Sequence, residues 1–237
     1  MKSPILDPYQ SMGANVLKSL IPKKSVVESY FLYSGELEIN LSSNDRLVIS
    51  HTCKYPIYEF WWMVKNQPYR VAKMAENVFS GISVDLLYRY QENWHEQRDP
   101  VYRSALFYIL NRCSDSRLAS SGKINKSLLS PLAISRFKKF SINNLYVVLD
   151  KNKDIGNRLN EQIDSDVKLF PVGRFKLNML DAGSEGTYER EYINHQHLYK
   201  ILKNSKFNWV VLYKFNSKVV EKTYQKDNCE EIIVTNF

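Results

Sequence analysis

Apolar residues in this chain follow two periods. From residue 12 to 21, Val16, Leu17, Leu20 and Ile21 fall on one face of a short helix that Pro22 stops. Three strand-like runs follow at residues 26–31, 37–41 and 46–50, with turns at Ser34-Gly35 and Ser43-Asn44-Asp45. Between Pro56 and Cys113 the spacing is three and four, as in Val71, Met74, Ala75 and Val78, then Leu86, Leu87, Tyr90 and Trp94. Pro68, Gly81 and Pro100 divide that region into several helices, and Asp99-Pro100 starts the last because proline costs little in a first turn. Residues 114–129 are polar and read as a loop or small hairpin, and residues 131–140 as a helix. Strands at 145–149, 167–170, 209–212 and 232–234 then alternate with helices at 157–163 and 189–204. This order predicts an α/β protein: a mixed sheet with helices on both faces, built from residues 1–55 and 144–237. Residues 56–143 read as a mainly helical insertion.

Composition narrows the classes. The 237 residues are 44% hydrophobic, enough for a core, and no run is long enough for a membrane span, so no membrane partner is expected. The first residues lack an apolar signal-peptide core, which predicts an intracellular protein. Cys53, Cys113 and Cys229 are few and far apart, which argues against a disulfide framework and against zinc, and no metal site is expected. His195 and His197 lie two apart in a helical stretch, where they point in different directions and read as a surface pair. Tyr58, Phe60, Trp61 and Trp62 read as core packing rather than as base-stacking residues. The net charge of +8 favours a polyanionic partner, DNA or RNA first.

The segment Asp99-Pro100-Val101-Tyr102-Arg103-Ser104-Ala105-Leu106-Phe107-Tyr108-Ile109-Leu110-Asn111-Arg112 resembles the D-P-x-x-R-A-x-L-F-x-x-L-N-R helix of Dam-like DNA adenine methyltransferases. Gly122-Lys123-Ile124-Asn125 is similar to the G-x-F-N-like turn that follows it in that family. Trp209-Val210-Val211-Leu212-Tyr213 resembles the late strand, and residues 230–236 the terminal strand of phage-type members. The resemblance covers nearly the whole chain. It implies a Rossmann-like methyltransferase fold in which the insertion is the target-recognition part and contacts DNA. It also implies a phage origin, and with it the cytoplasm of a bacterial host.

Methyl transfer to adenine requires a held cofactor, a base out of the stack and an amine aligned with the methyl group. The resemblance places these functions on motifs that are degenerate here. The F-x-G-x-G turn for S-adenosylmethionine corresponds to Tyr30-Phe31-Leu32-Tyr33-Ser34-Gly35, which keeps one glycine and places Leu32 and Tyr33 in the methionine space. The acid that accepts the ribose hydroxyls is missing where the second strand ends in His51-Thr52-Cys53. Pro8-Tyr9-Gln10 stands in place of G-G-K. D-P-P-Y is replaced by Phe170-Pro171-Val172-Gly173, and phenylalanine cannot accept the hydrogen bond of the adenine amine.

The expectation is therefore a DNA-binding pseudo-methyltransferase with no cofactor and no catalytic residue, acting alone or as a subunit beside a protein partner. For DNA contact we single out Arg112, Arg117 and Lys123, then the basic run Arg136, Lys138 and Lys139. Lys18, Lys23 and Lys24 form a second basic run, and the glycines at 183 and 186 mark a mobile turn in the loop at 174–188. Two alternatives stay open. One is a diverged enzyme that binds S-adenosylmethionine with Glu28 or Asp45 and uses Asp166 near the base. The other is an interaction scaffold without nucleic acid.

Overall fold

The computed structural model describes residues 2–6, 13–152, 154–160, 164–172, 195–214 and 231–237. In chain order the elements are α1 (Gly13–Leu20), β1 (Val26–Ser29), α2 (Glu36–Ser42), β2 (Leu47–Thr52), α3 (Tyr55–Asn66), α4 (Pro68–Gly81), α5 (Val84–Asn93) and α6 (Pro100–Cys113). They continue with α7 (Pro131–Lys138), β3 (Leu145–Leu149), α8 (Ile155–Asn160), β4 (Val167–Phe170), α9 (His195–Lys203), β5 (Trp209–Lys214) and β6 (Glu231–Thr235). The strands form one six-stranded sheet in the order β3-β2-β1-β4-β5-β6. β6 runs antiparallel to β5, and every other pairing is parallel. This is an α/β, Rossmann-like arrangement with a mixed sheet.

Local chemistry sets the helix boundaries. Ser83, Asp99 and Ser130 each accept a hydrogen bond from a backbone N–H of the first turn that follows. Pro100 and Pro131 occupy first-turn positions whose N–H has no partner in the helix. Arg46 is buried and donates to the carbonyls of Lys18 and Ile21, which closes the end of α1 and ties it to the start of β2.

Strand residues alternate between two faces. Val27, Val48, Leu169 and Val210 join the larger core with α1, α2, α3 and the helices of the insertion. Tyr30, Phe170, Trp209 and Val211 pack with Ile155 and Leu159 of α8 and with Leu198 and Leu202 of α9. The helices at 56–143 thus share one hydrophobic core with a sheet face.

Several sequence expectations need correction. Residues 37–41 form part of α2, not a strand. α2 buries Leu37, Glu38, Ile39, Leu41 and Ser42, so it carries no polar stripe, and its alternating sequence imitates a strand. Glu38 tolerates burial because Ser29 donates to it at 2.8 Å. β1 ends at Ser29, and Phe31 lies in the left-handed region at φ 68°, which turns the chain out of the sheet. Val16 on α1 is exposed, while Ala14, Leu17 and Ile21 are buried. Trp61 and Phe60 are core residues as expected, but Trp62, about 100° further round the helix, is 44% exposed on the solvent side of α3. Residues 157–160 are helical as expected, and the helix begins at Ile155; residues 161–163 and 189–194 lie outside the described residues.

Candidate functional site

In an open parallel sheet, ligands bind beyond the carboxyl ends of the strands where the strand order reverses. Here β2 and β3 extend to one side of β1 while β4, β5 and β6 extend to the other, so that point lies between β1 and β4. Register places Glu28 beside Lys168 there. Just beyond β1, Tyr30 lies between the ends of β2 and β4 and donates its backbone N–H to the Leu169 carbonyl. The Tyr30 ring is stacked on both sides: His51 at 4.8 Å with planes 11° apart, and Phe170 at 5.0 Å with planes 6° apart. All three rings are buried.

Beneath the rings lies a buried ionic network. His51 Nε2 is 3.0 Å from Glu28 Oε1, and His51 Nδ1 is 2.8 Å from Asp150 Oδ1. The exposures of the three side chains are 7%, 0% and 5%. Arg158 of α8 reaches the other Asp150 oxygen at 3.1 Å, and Lys168 of β4 pairs with the other Glu28 oxygen. Burial alone would push the His51 imidazole down, but hydrogen bonds to Asp150 and Glu28 outweigh it and hold it above its ordinary value. Burial would push the Glu28 carboxyl up, and hydrogen bonds from His51 and Lys168 reverse that and hold it low. Tyr30, buried beside Glu28, is pushed well above the ordinary phenol range, so its ring is neutral.

The turn after β1 is closed by the protein itself. Leu32 N donates to His51 O at 2.8 Å, Trp61 Nε1 to Tyr33 O at 3.0 Å, and Ser3 Oγ to Ser34 O at 2.6 Å. Leu32 and Ser34 are buried. Gly35 sits at φ 67°, and a Cβ added there would lie 2.4 Å from Trp61 Cζ2. Gly35 therefore accommodates an indole of the same chain. Pro171 and Val172, beyond Phe170, are buried as well; Gly173, Pro8-Tyr9-Gln10, residues 174–188 and Cys229 lie outside the described residues.

A second feature adjoins the ionic network and shares Lys168 with it. α8 and α9 flank a cleft of about 830 Å³ lined by Asp154, Asn157, Lys168, His197, Ile201 and Phe207. Ser165 and Phe207, which also line it, stand just before β4 and β5.

The residues singled out for DNA contact divide into two groups. Arg112 is partly buried, donates Nε to the Pro4 carbonyl at 2.7 Å and lies over the Tyr108 ring. Burial lowers its guanidinium from the ordinary value. Arg117 donates to the Arg112 carbonyl at 2.9 Å, and Lys123 is exposed in the following loop. Arg136, Lys138 and Lys139 lie at the end of α7, where α7 packs against α4. Lys138 meets Glu76 of α4 at 2.7 Å, and Lys73 meets the same carboxylate at 2.7 Å. Arg70 lies one turn before Lys73. Lys73 of α4 and Lys138 of α7 thus meet on one acid, with Arg70, Arg136 and Lys139 on the same two helices or at their ends. Sequence reasoning missed Lys73, which interhelical packing joins to Lys138 of α7 through Glu76, and Arg70 one turn before it. Of the residues considered for an active enzyme, Glu28 is engaged by His51 and Lys168, Asp45 is exposed, and Asp166 accepts from Val26 N at 2.7 Å.

Among the described residues no group of three or more His, Cys, Asp and Glu side chains could hold a metal ion, and no helix is long and apolar enough to cross a membrane. No protein-family model matches the chain, and no curated protein matches it.

Proposed function

We propose that this chain is a DNA-binding pseudo-methyltransferase: a Rossmann-like domain related to the Dam-like enzymes that binds DNA without binding S-adenosylmethionine or transferring a methyl group. The observation that carries this reading is the occupied switch-point crevice. Tyr30 fills it, stacked between His51 and Phe170, where a cofactor of this fold would lie. At the end of β2, where a ribose-binding acid would stand, the chain has an imidazole already held by two carboxylates. The antiparallel β6 beside β5 agrees with the mixed sheet that the resemblance implies. The polyanion part of the reading is supported by the net charge of +8 and by the exposed cations of α4 and α7.

Calorimetric titration with S-adenosylmethionine is expected to give no heat up to millimolar ligand. Micromolar binding would restore the enzyme reading, because the stack would then have to open for the cofactor. A mobility-shift assay is expected to detect DNA binding that weakens steeply with salt. Replacing Arg136, Lys138 and Lys139 together by alanine is expected to reduce both affinity and salt slope. Absence of any salt-dependent shift would overturn the DNA reading.

A further inference from the structure

α3 presents an aromatic stripe to solvent. Tyr55, Tyr58 and Trp62 follow one another at helical spacings of three and four, so their rings lie along one side of the helix over about 10 Å. Tyr55 is 53% exposed and Trp62 44%. The Tyr55 and Tyr58 rings are 6.4 Å apart. One turn beyond Trp62, Lys65 reaches across to the edge strand β3, where its Nζ lies 3.6 Å from the centre of the Tyr146 ring. Tyr146 is itself 50% exposed.

Two properties distinguish this stripe from an ordinary apolar patch. Its ends are held in place: Tyr55 donates its hydroxyl to Glu59 Oε2 at 3.1 Å, and Lys65 donates to the Leu145 carbonyl at 2.7 Å while covering Tyr146. Fixed rings lose little freedom when something stacks on them. Its charge is also one-sided. Glu59 is the acid of α3, and Arg103 already neutralises it, which leaves the lysine as the unbalanced charge beside the rings. Flat rings alternating with a cation match a polymer that offers flat bases and a negative backbone.

We infer that Tyr55, Tyr58 and Trp62, continued by Lys65 and Tyr146, form a stacking platform for single-stranded nucleic acid. This inference rests on the nucleic-acid reading above and adds the strand form and the surface. Duplex DNA keeps its bases stacked on one another and cannot use the platform, so the two forms are separable by experiment.

Of the four tryptophans, Trp61, Trp94 and Trp209 are buried, so quenching of intrinsic emission by an added strand reports on Trp62. A fifteen-nucleotide oligo(dT) is expected to quench that emission saturably, and a duplex of equal length to bind without quenching. Trp62→Ala is expected to weaken oligo(dT) binding by about tenfold, the usual consequence of losing one stacked base, and Trp62→Phe to retain most of it. Trp62 is exposed, so neither change should disturb folding. Oligo(dT) binding without quenching, and unchanged by Trp62→Ala, would overturn the platform and leave the DNA reading standing. Failure to bind either strand form would overturn both. Self-association that Trp62→Ala abolishes, without oligonucleotide quenching, would overturn the platform in favour of a contact between copies of the chain.

Discussion

At the scale of single residues, His51 is the most constrained group. Both ring nitrogens lie within 3.0 Å of carboxylate oxygens, and a neutral imidazole has only one N–H to donate, so the two carboxylates favour the imidazolium. Its pKa is raised, so the stability it contributes is complete below its ordinary value of 6.5 and is lost as pH climbs from there through the folded value. Glu28 has the opposite sign: its contribution is complete above its ordinary 4.5 and is lost as pH falls through its lowered folded value. Urea midpoints are expected to hold steady for these two groups between about 4.5 and 6.5 and to fall on either side. His51→Gln is expected to remove the alkaline limb that this group produces. His51→Ala, which leaves two buried carboxylates short of a partner, is expected to cost about 3 kcal/mol in urea denaturation. If His51→Ala left stability unchanged, the network would not be holding the crevice shut. A simpler case is Cys113, whose thiol burial pushes up to about 12; it is expected to resist alkylation in the native protein and to react only on unfolding.

At the scale of elements, short connecting segments decide how tightly the crevice closes. Gly35 combines a left-handed backbone with contact against Trp61, so Gly35→Ala meets both strain and a clash. A loss of about 2–4 kcal/mol is expected, read as a lower urea midpoint with unchanged slope. α6, the helix whose sequence most resembles the family, uses its last turn for folding. Asn111 exchanges hydrogen bonds with both backbone groups of Leu6 at 2.7 and 2.9 Å, while Arg112 holds Pro4. Asn111→Ala is expected to loosen the Leu6 end of this segment and make it a site of earlier proteolysis, while Ser3, Pro4 and Ile5 stay held by Ser34, Arg112 and the core. An unchanged digestion pattern would count against that role.

At the scale of the whole molecule, charge and topology pull in different directions from catalysis. The parallel strands reverse their order between β1 and β4, and the crevice produced there is filled by aromatic rings and ion pairs. The helices at 56–143, by contrast, leave cations and aromatic rings in solvent on α3, α4 and α7. If nucleic acid is the partner, alanine at Arg70 and Lys73 is expected to lower the salt slope of binding by roughly one for each phosphate that is no longer neutralised. An unchanged slope would move the binding surface away from the α4–α7 face.

The sequence alone determined the α/β class, the strands at 145–149 and 167–170, and the division of the helical region at Pro68, Gly81 and Pro100, because these depend on local periodicity and on backbone chemistry. It also showed that no D-P-P-Y tetrapeptide occurs and that the turn after β1 holds one glycine, which are facts of composition. Tertiary structure decided the rest. It turned the alternating residues 37–41 into a helix, since a segment buried on all sides loses the pattern by which a helix is recognised. It brought His51, Glu28, Asp150, Arg158 and Lys168 together from β1, β2, β4, α8 and the end of β3, across sequence separations no spacing rule could link. It joined Lys73 to Lys138 through Glu76, and it separated Trp62 from the core that its neighbours Phe60 and Trp61 occupy. Pairing across the sheet and packing between helices fix which side chains meet, and those meetings are non-local by nature.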